Sequence, residues 1–153
     1  MLKTVEGKEL SVTFFGTQRN VKIYPEVTHI LRMMQEDFAD FYLTGSFSIE
    51  GREPEDIDFF TLASNELRAA LVSHGFNPVF GAYGDSSFQE VLVFNAPHNF
   101  WGDYISQIHV QLIYPWLLDK KIAAQRKFEQ LSPYLREYLT KDRMRSLWEI
   151  LMD

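Results

Sequence analysis

The chain contains no cysteine among its 153 residues. That excludes disulfides, thiolate zinc sites, iron–sulfur clusters and cysteine nucleophiles, and it fits a reducing compartment, so the expected location is cytoplasmic. No apolar run approaches the roughly 20 residues of a membrane span, so no membrane association is expected. The first residues, MLKTVEGKEL, lack the apolar segment of a secretory signal. There is no Walker A motif and no G-x-G-x-x-G to support an ATPase or a dinucleotide fold. No G-x-S-x-G elbow surrounds Ser46, which excludes that serine as a hydrolase nucleophile. A strongly basic face is missing as well, and the net charge of -6 speaks against a dedicated nucleic-acid binder.

What is present is bulk. Hydrophobic residues make up 46% of the chain, with 13 Phe, 7 Tyr and 3 Trp, which is ample for a packed core and argues against disorder. The length suits a single domain over 1–153. Charge is unevenly divided. Residues 1–118 hold 7 Lys+Arg against 15 Asp+Glu, whereas 119–153 hold 8 against 6. The acids concentrate at Glu50, Glu53, Glu55, Asp56 and Asp58, either a solvated loop or carboxylates that hold a cation.

Hydrophobic periodicity organises the rest. A hairpin is expected over 9–24 and an amphipathic helix on Val27, Ile30, Leu31, Met34 and Phe38. A short buried strand, FYLTGS at 41–46, and a loop at 47–55 lead to an alternating strand, DIDFFTLA at 56–63. Ser64 suits a helix N-cap and Gly75 its C-terminal end. Strands are expected near 78–83, 87–95 and 105–114, then helices near 116–130, 133–139 and 141–152. The reading is α+β: a mixed sheet flanked by helices, with a core over about 25–114 and a helical C-terminal extension over about 115–153.

The chemistry lies in Leu43-Thr44-Gly45-Ser46, nine residues, then Asp56-Ile57-Asp58-Phe59. Period 2 sets both aspartates on one face of a strand while Ile57 and Phe59 anchor the other. Two adjacent carboxylates repel, and a divalent cation removes the conflict. Magnesium is commonly held by one or two carboxylates plus substrate phosphates. Gly45 permits close backbone approach, and Ser46 offers a hydroxyl and an N–H.

This spacing resembles the signature of the nucleotidyltransferase superfamily that includes DNA polymerase beta, in its minimal form. The resemblance implies Mg2+- or Mn2+-dependent transfer of a nucleoside monophosphate from a nucleoside triphosphate to a hydroxyl of a protein, an RNA end or a small molecule. It implies Asp56 and Asp58 as metal ligands and catalytic residues, with Gly45, Ser46 and Arg52 on the triphosphate. The family's third carboxylate falls, by this alignment, at Gln111, which supplies no negative charge; Glu90 on the neighbouring strand could substitute, and His109, on the same face as Gln111, could act as base. The alternative is a catalytically degenerate fold that binds a nucleotide or a protein partner, or pairs with a second copy. Lys120, Lys121, Arg126 and Lys127 read as the solvated face of a helix, and the stripe around Trp148 as core or dimer contact. Trp116, like the other aromatics at strand ends, reads as core.

Overall fold

The structure, a computed structural model, describes residues 2–3, 9–10, 42–45, 56–79, 88–95, 107–135 and 140–152. Strands β1 (Leu2–Lys3) and β2 (Glu9–Leu10) form a small antiparallel pair, with Leu2 opposite Leu10. Thus Glu9 and Leu10 pair back toward the N-terminus; the remainder of the expected hairpin and the helix expected over 27–38 lie outside the described residues.

The main sheet has five strands: β3 (Tyr42–Thr44), β4 (Asp56–Leu62), β5 (Asn77–Val79), β6 (Phe88–Asn95) and β7 (Gln107–Ile113). Their spatial order is β3-β4-β7-β6-β5. Among the described strands of this sheet, β4 and β7 run parallel and the other three pairings are antiparallel. The sheet is therefore mixed, and with its helices the molecule is α+β, as its sequence predicts.

Helix α1 (Asn65–Ser73) links β4 to β5. The Leu67 N–H donates to the Ser64 hydroxyl, satisfying one orphan donor of the first turn. At the other end the Gly75 N–H donates to the Val72 carbonyl and the Phe76 N–H to the Leu71 carbonyl. This is a Schellman closure, and Gly75 adopts the left-handed φ of 96° that it requires. Phe76, at 1% exposure, then packs beneath the helix end.

A single 3-10 turn (Pro115–Leu117) leads into α2 (Leu118–Leu135), followed by α3 (Lys141–Met152). The break expected near residue 131 does not occur. The helix runs on through Pro133, which falls in its last turn and cannot donate a hydrogen bond to the carbonyl four residues back. Helix α2 is held instead by its inner stripe of Lys121, Ala124, Gln125 and Phe128, all buried.

Alternation along the strands gives the sheet two unlike faces. One carries Leu43, Ile57, Phe59, Ile108, Val110 and Leu92, all buried. The opposite face is arranged in cross-strand rows. Asp56, Gln107 and Asn95 form the outermost row; Thr44, Asp58, His109 and Val93 form the next; Tyr42, Phe60, Gln111 and Val91 form the third. Phe60, Val91, Val93 and Ile113 make an apolar cluster against which Leu117, Leu118 and Ile122 pack. Helix α2 thus covers the inner rows, each large buried side chain contributing about 1.5–3 kcal/mol. The outermost rows hold the polar residues. Among the described residues no helix is long and apolar enough to cross a membrane.

Candidate metal centre

Asp56 and Asp58 stand on the same face of β4, as the alternation predicts, with side-chain exposures of 33% and 19%. The parallel pairing of β4 with β7 sets His109 directly beside Asp58. Its Nδ1 lies 3.0 Å from Asp58 Oδ1 and 3.9 Å from Asp56 Oδ2. One ligand atom from each of the three residues lies within 4.8 Å of the others. His109 is 3% exposed, so the cluster has a buried floor and a partly open rim.

The electrostatics of this floor are mixed. Burial by itself lowers the pKa of the His109 imidazole, but its hydrogen bond to the Asp58 carboxylate and the charges of Asp58 and Asp56 outweigh it, leaving the pKa raised above 6.5. The carboxylates thus attract positive charge, whether a proton on Nδ1 or a cation in its place.

Gly45 closes one side. It follows β3 directly and has a φ of 69°, a conformation that favours glycine. A Cβ built there would lie 2.5 Å from Asp58 Oδ2. The peptide after β3 therefore lies directly against the Asp58 carboxylate, and a side chain would occupy the space beside it. Thr44, in the same row as Asp58, donates its hydroxyl to Gln125 Oε1 at 2.8 Å. This bond joins the approach to Gly45 to the inner face of α2.

The structure brings together Asp56, Asp58 and Gly45 of the residues expected at the site. Ser46 and Arg52 lie outside the described residues. Gln111 sits elsewhere: it is one row deeper on β7, opposite Phe60 and Val91, and its buried Oε1 has no hydrogen-bond partner. The residue at the register of Asp58 is His109. Glu90 is also remote, since it points to the opposite face of the sheet and binds Arg68 at 2.7 Å.

Two further expectations change. Lys121 is not on the solvated face of α2 but 2% exposed, with its Nζ 4.3 Å from the centroid of the Trp148 ring and 5.9 Å from that of Phe60. Trp148 stacks on Phe128 at 4.9 Å, which makes the α3 stripe an internal contact. Trp116 is 73% exposed and stacks on Tyr114 at 4.5 Å, so it is not core. The signal for Lys121 and Gln125 was available: both fall at helical spacing with Ala124 and Phe128. Nothing in the sequence singles out Gln107 or Asn95.

One oxygen each of Asp56 and Asp58 and one nitrogen of His109 could together hold a metal ion. A scan of family models, a search of curated proteins and a search of solved structures each find no match to this chain.

Proposed function

We propose that this protein is a metal-dependent nucleotidyltransferase, acting on a nucleoside triphosphate and a hydroxyl acceptor. The observation that carries the reading is the contact of Gly45, at φ 69°, with Asp58 at the start of the Asp56-Ile57-Asp58 strand. It joins the two halves of the sequence signature at one place. The order of strand, glycine, acidic strand and helix, followed by a parallel strand beside the acidic one, supports the same reading.

In this account Asp56, Asp58 and His109 hold a divalent ion. Bound there, it supplies Lewis-acid polarisation of the phosphoryl oxygens. Gly45, lacking a side chain, lets the backbone lie against Asp58, and by the resemblance Ser46 and Arg52 would bind the phosphate chain. An acceptor hydroxyl oxygen bonds to the α-phosphorus, the bond from that phosphorus to the pyrophosphate oxygen breaks, and the hydroxyl proton passes to solvent. The acceptor class remains that of a protein, RNA-end or small-molecule hydroxyl.

The third site residue supports a second reading. An imidazole in place of a carboxylate leaves the cluster with two formal negative charges. The protein would then be a binding module that retains nucleotide or partner recognition without turnover. Transfer of labelled nucleoside monophosphate with Mg2+ or Mn2+ separates the two. Transfer that Asp56→Ala and Asp58→Ala abolish supports the enzyme. Nucleotide binding without turnover supports the module, and transfer that survives both substitutions refutes the assignment.

A further inference from the structure

His109 differs from a carboxylate in what it binds, and its surroundings commit it to one ring nitrogen. Gln107 Nε2 donates to Asn95 Oδ1 at 2.6 Å, which turns Gln107 Oε1 toward His109 Nε2 at 2.8 Å. A carboxamide oxygen only accepts, so Nε2 carries the hydrogen. The other nitrogen, Nδ1, faces Asp58 Oδ1 and Asp56 Oδ2. Such a second partner fixes the tautomer of a ligating histidine and holds its ring in place. Gln107 and Asn95 form this relay at the rim, outside the three-residue cluster, and neither contributes to packing of the core.

The combined donor set is two carboxylates and one imidazole. Mg2+ prefers oxygen ligands and gives up water reluctantly. Imidazole suits transition ions, and carboxylate suits Mn2+ as well as Mg2+. We propose that the Asp56–Asp58–His109 site selects a divalent transition ion of the Mn2+ class over Mg2+, with His109 as the selecting ligand and Gln107, backed by Asn95, as its positioning residue. The inference rests on the metal-holding part of the functional reading and does not require transferase activity.

The test is calorimetric titration of the full chain with Mn2+ and with Mg2+, without nucleotide. Mn2+ is expected to bind at least about tenfold more tightly. His109→Asp should bring the two affinities together by strengthening Mg2+ binding. Gln107→Leu should weaken Mn2+ binding by about 10–100-fold and leave Mg2+ nearly unchanged; its rim position keeps it informative if His109→Asp fails to fold. Equal affinities in the native chain, or a Mn2+ affinity untouched by Gln107→Leu, would overturn the selection while leaving metal binding intact. Absence of binding by either ion would overturn the metal reading itself.

Discussion

The two faces of the sheet both bury charge, but they resolve it differently. On the face covered by α1, Glu90 at 3% exposure is matched by Arg68 at 2.7 Å. That carboxylate has its own cation, and the surrounding Leu92, Ile108 and Val110 are an apolar core. On the other face, Asp56 and Asp58 share one imidazole. The first arrangement is complete within the chain. The second brings together two carboxylates and an imidazole, with ligand atoms within 4.8 Å of one another, at a partly exposed rim. A pair of groups that satisfy each other is structural; a convergent set that attracts further positive charge is the better candidate for binding.

Substitutions on the two faces should therefore separate stability from ion binding. The largest effect is expected from Asp58→Ala. It removes the central carboxylate and should reduce nucleotide transfer by about a thousandfold, or several kcal/mol of transition-state stabilisation, with the circular dichroism spectrum unchanged. Next is Gly45→Ala. The new Cβ meets Asp58 Oδ2, and the left-handed backbone is strained for alanine. A loss of about 1–3 kcal/mol in denaturant unfolding should accompany weaker ion binding. Glu90→Ala, on the other face, should cost about 1 kcal/mol, because Arg68 is 43% exposed and returns to water. Ion affinity should not change; if it does, the faces are not independent.

The smallest expected effect is a pH dependence in the chelator-treated protein. The folded pKa of His109 is raised above 6.5, so the folded state binds its proton more tightly than the unfolded chain. The resulting stabilisation is full below about pH 6.5 and is lost as pH rises through the folded value. His109→Gln should remove this component from a plot of unfolding free energy against pH. Glu90→Gln should leave it in place.

Much of this contrast was legible in the sequence. The alternation of Asp56 and Asp58 with Ile57 and Phe59 divides β4 between the faces, and the structure shows that division. The Ser64 cap, the Gly75 closure and the strands near 78, 87 and 105 follow from local rules of the same kind. What was not legible is register between strands far apart in sequence. His109 and Gln111 share a face of β7, and local pattern cannot decide which of them meets Asp58. The parallel pairing places His109 there and sets Gln111 against Phe60. Lys121 escaped a charge-based reading for a related reason. A polar residue on the inner stripe of a helix is buried when the neighbouring apolar positions are, and its cation is accommodated here between Trp148 and Phe60.

If β4 and β7 converge to hold a divalent ion, anomalous diffraction from crystals soaked in Mn2+ should reveal it. A peak is expected about 2.1–2.3 Å from one carboxylate oxygen each of Asp56 and Asp58 and from His109 Nδ1. An ordered, soaked crystal with no peak at these three residues, or with manganese bound only elsewhere, would contradict it.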